Sequence, residues 1–383
     1  MKRLAAFLIL LIAPVMAQDD PAELREKALP LLSLGKYGEA EPLLARALEA
    51  TEKTAGTEDV RLIPLLMELG GAYRAEGKNA EAEKLYLRAL AIRQKDAGAM
   101  SVKIIPHLKM LASLYGSMNR VADAERQYLR VISVRIEAQG TEDLDLATDC
   151  SELASFYIAL HRYAVAEPNL RRAIEILQRK KGPEAPALIP VLDSLATLFL
   201  ETKNYDPAEA PLRRVVSIVE RSDGPNHPNL APHLDRLGML YYLEKRYAES
   251  EAVYRRSLAI WENLMGADNP ELATTLENLA VAYASQDKFS EAESLYRRSL
   301  RLRETLVVSS MRNLAMALEG QGQDAAAERQ YKQAVSMAES SGDSESLSKV
   351  LVNYAALLRK LKRETEAKRL EDKARALRKT DKP

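Results

Sequence analysis

A chain of 383 residues has room for two or three compact domains or for one extended array. Gly (16), Pro (17), Phe (4) and Trp (1) are sparse while Ala, Leu, Glu and Arg dominate, a usage that favours helix and leaves little for sheet. Lys plus Arg (55) equals Asp plus Glu (55), which excludes a net field that would draw the chain onto nucleic acid or an anionic membrane.

The first element is apolar. Lys2 and Arg3 precede a run from Leu4 to Ala17, with Val15 and Ala17 placed as small residues before a cut at Gln18. Residues 1–17 are therefore expected to be a cleavable signal. Export by the secretory route is expected with it, to the periplasm or the exterior if the source is bacterial. As a helix this run spans roughly 21 Å against a bilayer core of about 30 Å, so a permanent anchor is disfavoured. No later stretch has the length and apolarity to cross a membrane. Cys150 is the only cysteine, so no internal disulfide can form and packing must hold the fold.

From there a period of 42 residues takes over. Ala40, Ala82, Ala124, Ala166, Ala208, Ser250 and Ala292 open the second helix of successive units, and Ala327 and Ala367 follow at spacings of 35 and 40. The first helices carry Leu69-Gly70, Leu111-Ala112, Leu153-Ala154, Leu195-Ala196, Leu237-Gly238 and Leu279-Ala280. An aromatic stands four residues beyond each Leu (Tyr73, Tyr115, Tyr157, Phe199, Tyr241, Tyr283), on the same helical face. In the second helices Leu44, Tyr86, Tyr128, Leu170, Leu212, Tyr254 and Tyr296 face the small residues, which let the helices approach closely. Gly56, Gly98, Gly140, Gly182, Gly224 and Gly266 separate the units and are expected to end helices in the left-handed conformation.

The pattern predicts an all-α fold, a right-handed α-α superhelix (solenoid) of about nine helix-turn-helix repeats. The repeats fall at about 21–55, 56–97, 98–139, 140–181, 182–223, 224–265, 266–306, 307–341 and 342–378, within an array from 18 to 378. A charged cap follows, with residues 379–383 a disordered tail.

These columns resemble the tetratricopeptide repeat, in the 42-residue form of kinesin light chains and their bacterial relatives; the nearest stretch is HPNLAPHLDRLGMLYYLEKRYAESEAVYRRSLAIWENLMGADNP, His227 to Pro270. The resemblance implies a binding architecture and leaves the partner open.

No catalytic set emerges, and no cofactor or metal is expected. Cys150 occupies the column of Leu66, Leu108, Leu192, Leu234 and Leu276, so it reads as a core thiol. The four histidines, His107, His161, His227 and His233, read as surface or turn residues too far apart to share a metal. Gly35-Lys36 and Gly77-Lys78 lie between the helices of hairpins and lack the rest of a phosphate loop. Arginines recur on the second helices, but Glu167–Arg171, Glu209–Arg213, Glu251–Arg255 and Glu293–Arg297 pair four residues apart and neutralise much of that face.

The resemblance implies that first helices line a concave groove. One groove column reads Met67, Lys109, Ser151, Asp193, Asp235, Glu277, and another Arg74, Gly116, Ile158, Leu200, Tyr242, Ala284, with Met239 and Leu243 nearby. Relatives hold peptides with asparagines before the repeat Leu, a column matched here only by Asn278, Asn313 and Asn353. The expected partner is a protein or peptide, an apolar segment with basic residues set near Asp193, Asp235 and Glu277. A spacer or assembly factor of an envelope complex, docking by its outer face or caps, is the alternative. A third is an accessory subunit of a separately encoded enzyme or sensor.

Overall fold

The structure, a computed structural model, describes residues 20–380, so the expected signal at 1–17 lies outside the described residues. The chain divides into two compact units at Pro183/Glu184, between the fourth and fifth repeats. The first holds α1 (Pro21–Ser33), α2 (Tyr37–Ala55), α3 (Leu62–Ala75), α4 (Asn79–Ala97), α5 (Ile105–Ser117), α6 (Val121–Gln139), α7 (Leu144–Ala159) and α8 (Tyr163–Lys181). The second holds α9 (Ile189–Glu201), α10 (Glu209–Ser222), α11 (Leu230–Leu243), α12 (Tyr247–Met265), α13 (Ala273–Ala284), α14 (Phe289–Gly320), α15 (Asp324–Ser341), α16 (Ser344–Lys360) and α17 (Glu364–Thr380). Among the described residues there is no strand. The class is the expected all-α array of helical hairpins.

Each hairpin turn is made the same way. One residue takes a positive φ, and the next N–H returns to a carbonyl five residues back, as in Lys78 N to Tyr73 O (2.8 Å) and Arg246 N to Tyr241 O (2.8 Å). Gly35 and Gly77 fill that position without strain, but Asn119, His161, Lys203, Lys245, Asp287 and Lys362 also occupy it. The joints between repeats differ from expectation. Gly56 has φ 87° and ψ 167°, and Gly98 has φ 93° and ψ 152°, an extended mirror-image conformation instead of the left-handed helical one. Only glycine adopts it readily, which accounts for the 42-residue glycine column.

Two rings pack directly against a glycine of the facing first helix. A Cβ on Gly70 would lie 2.6 Å from Tyr86 Cε1, and one on Gly238 would lie 2.9 Å from Tyr254 Cε1; both rings are buried. Opposite Ala112 the facing Tyr128 is half-buried, whereas Tyr331, opposite Ala315, is fully buried.

Neighbouring repeats are clipped by a three-part contact that no single column reveals. Tyr115 Oη donates to Glu83 (2.9 Å), and Arg120 both pairs with Glu83 (2.6 Å) and lies over the Tyr115 ring (4.3 Å). Tyr157, Glu125 and Arg162 repeat it, as do Tyr241, Glu209 and Arg246 in the second unit. A cation over a ring and a shared carboxylate together hold adjacent repeats in register. The fifth repeat carries Phe199 and Asn204 in those columns.

The arginine column proves structural as well. Arg88 pairs with Glu52 and donates to Thr57 O (2.7 Å); Arg256 pairs with Glu220 and donates to Pro225 O (2.7 Å). Arg298 does the same with Glu262 (2.5 Å) and Ala267 O (2.5 Å). The expected pairs Glu167–Arg171, Glu209–Arg213, Glu251–Arg255 and Glu293–Arg297 are all present.

The repeat boundary expected at 306/307 carries no turn, because α14 runs without interruption from Phe289 to Gly320. The tail expected at 379–383 is still helical at Thr380, with 381–383 outside the described residues.

Candidate ligand-binding face

The first helices carry the candidate residues, and each unit is taken by itself. In the first unit Ile158 on α7 is half-buried. The groove column there is already wired to its neighbour: Arg25 grips Glu68 through Nε (2.9 Å) and Nη2 (2.5 Å), and Lys109 contacts both Asp149 (2.7 Å) and Glu152 (2.7 Å). Asp149 is buried and also accepts from Arg135 Nε (2.8 Å).

In the second unit the acidic groove column does not stand free as expected. Asp193 accepts from Arg236 Nη1 (2.8 Å) and lies 3.5 Å from His233, while Arg236 Nη2 also reaches Thr197 (2.5 Å). Glu277 accepts from Ser299 (2.8 Å) and Arg303 (2.6 Å). These carboxylates hold first helices to their neighbours. The partners were invisible as such in the sequence because they sit 43 and 26 residues away, outside any helical spacing.

Asp235 differs. Burial raises its carboxyl above the usual range, against hydrogen bonds from Ser257, Trp261 and Thr275, and its Oδ1 is buried without a hydrogen-bond partner. On the same helix Met239 and Leu243 are exposed, and Tyr242 is half-buried with its ring 5.6 Å from that of Tyr247. Asp235, Met239, Tyr242 and Leu243 follow at helical spacing along one face of α11. Leu200 on α9 is half-buried.

The three asparagines are not alike. Asn278 is half-buried on α13, Asn313 is exposed on α14 and accepts from Arg312 (3.1 Å), and Asn353 donates to Met316 Sδ (3.0 Å). Of the histidines, His161 and His227 are in turns as expected. His107, however, is buried on α5, and burial with the charge of Arg93 nearby lowers its pKa. Its column holds Leu65 and Val191, a core signal that the residue type concealed. Cys150 is buried, and burial pushes its thiol up to about 11, far from a reactive thiolate. Among the described residues no group of three or more His, Cys, Asp or Glu side chains is placed to hold a metal, and no helix is long and apolar enough to cross a membrane.

Stacked helical hairpins with repeating inter-repeat clips define an all-α repeat scaffold. The tetratricopeptide-repeat pattern matches residues 24–95, 62–137, 144–221, 229–305 and 306–380, and the chain belongs to that family. It is a family of protein-interaction scaffolds, and no enzyme family is indicated.

One solved structure agrees on the fold, and others are similar in part. The C-terminal part of a TPR repeat-containing protein from Cytophaga hutchinsonii is 13% identical, with a TM-score of 0.52, covering 72% of this chain and 94% of that one. BtubC (BKLC) from P. vanneervenii is 25% identical, with a TM-score of 0.49, covering 60% of this chain and 90% of that one. A Podospora anserina protein with nearly identical kinesin-light-chain-type TPR-like repeats is 22% identical, with a TM-score of 0.47, covering 54% and 99%. No curated protein matches the chain.

Proposed function

We propose that this chain is an exported, non-catalytic scaffold that binds an apolar protein or peptide segment on the first-helix face of the second unit. The carrying observation is α11, where exposed Met239 and Leu243 and half-buried Tyr242 follow the half-buried Asp235 along one face. An apolar strip beside a carboxylate suits a segment that brings hydrophobic side chains and a basic group. Asp193 and Glu277 have a lesser part in this reading, since Arg236 and Arg303 already satisfy them.

The test is affinity capture from the exported fraction with Met239→Glu/Tyr242→Ala and with Asp235→Asn. Loss of the captured partner by both folded variants supports the reading; undiminished capture refutes it. N-terminal sequencing of the recovered protein tests export, with Gln18 as the expected first residue. The spacer reading draws on the internally paired groove charges, and crosslinks concentrated on second helices would favour it.

A further inference from the structure

We propose that a second copy of this chain docks on α14, completing in trans an inter-repeat contact that the chain cannot make in cis. The inference starts from the short eighth repeat. Aligned on the flanking columns, Glu262 and Leu264 correspond to Glu304 and Leu306, and Leu272 and Ala273 to Val307 and Val308. The seven residues Met265–Glu271, which form the joint after α12, have no counterpart between Leu306 and Val307. Without a joint the chain cannot reverse, and the second helix of repeat seven continues into the first helix of repeat eight as α14.

The fused helix leaves both halves of a normal contact uncovered. Between repeats six and seven, Tyr254 and Leu258 pack with Leu272, Leu276 and Leu279 of the next first helix; their exposures are 3% and 8%, against 0%, 0% and 3%. The counterparts one repeat on are Tyr296 (40%) and Leu300 (58%) on one side of the contact, and Val307 (42%), Leu314 (50%) and Met311, half-buried against the C-terminal core, on the other. The four exposed residues fall within about 40° of a single line along α14. The inward faces of the same segments are satisfied, since Val308 and Ala315 are buried in the core formed with α15, α16 and α17.

One helix thus displays a second-helix half-site and the first-helix half-site that fits it. In cis they lie end to end on a rigid rod and cannot meet. Two copies related by a two-fold axis can bring them together antiparallel, Leu300 against Val307 and Tyr296 against Met311, twice over. In that register the axis passes between Arg303 and Glu304, so each copy's Arg303, which already holds Glu277, faces the second copy's Glu304. A shortened joint with reciprocal exchange of a packed element is the geometry of a swapped dimer.

Sedimentation equilibrium of the purified full chain, from about 1 to about 100 µM, reads the outcome. The expected mass is twice that of one chain, falling twofold in Leu300→Glu/Leu314→Glu while helical circular dichroism is unchanged. A second variant restores the joint by inserting MGADNPE between Leu306 and Val307, letting the hairpin close in cis. It too should sediment as a single chain, and it decides the matter if the glutamates reduce helicity. A single-chain mass for the parent at every concentration, or a dimer that survives the insertion, overturns the proposal.

Discussion

Gly70 and Gly71 are neighbours on α3, and the same substitution should move stability in opposite directions at the two. Each gains about 1 kcal/mol of intrinsic helix preference on becoming alanine. At Gly71 the new Cβ would lie 3.8 Å from Tyr86 Oη, an ordinary contact, so the gain should be kept. At Gly70 it would lie 2.6 Å from Tyr86 Cε1, so the ring must move. Tyr86 is fully buried, and uncovering about two-fifths of a ring worth roughly 200 Å² would cost about 2 kcal/mol. Gly70→Ala should therefore lose about 1 kcal/mol and Gly71→Ala gain about 1 kcal/mol, a separation of about 2 kcal/mol. Urea unfolding followed by circular dichroism measures both midpoints. Tyr86→Leu, which installs the residue found at Leu44 and Leu170, should remove the penalty of Gly70→Ala. Equal shifts for the two alanines would refute the steric account.

Asp149→Asn strips the buried Arg135 of one charged partner and leaves it Asp145 and Gln139, and should cost about 2–4 kcal/mol by the same urea assay. Lys245→Gly relieves a left-handed turn residue at φ 61° and should raise the thermal midpoint, by about 0.5–1 kcal/mol of stability. His107 is held neutral in the folded chain, its pKa below the ordinary 6.5, so below about pH 6.5 the unfolded chain binds the additional proton. Stability should fall as pH drops from that value toward the lower folded pKa, and His107→Leu should flatten this part of a pH series of urea midpoints.

The fold was legible because the same physical demand recurs: a small residue, a ring or leucine opposite it and a glycine joint return in unit after unit, so repetition amplifies a weak local signal. Helices α1 to α13 follow that rhythm. It failed where the demand was dropped without a marker, as at Leu306–Val307, where a missing joint reads only as a shorter interval. The candidate site was less legible for a different reason. Asp193 and Glu277 looked available because their partners Arg236 and Arg303 come from a neighbouring repeat and a second helix, and pairing across helices leaves no trace at helical spacing. Tyr242 could be singled out because it fell outside the core columns, and its half-buried place on α11 is consistent with that.

The guanidinium groups of Arg88, Arg256 and Arg298, fastened to the carbonyls of Thr57, Pro225 and Ala267, act on the segments that loops would otherwise leave slack. A protease needs several residues of yielding, extended chain, and these three joints have their backbone tied to the following repeat. Limited digestion should spare them, so that fragments released from the folded protein begin elsewhere than at the obvious glycine boundaries, and α14, having no joint to open, should stay in one piece.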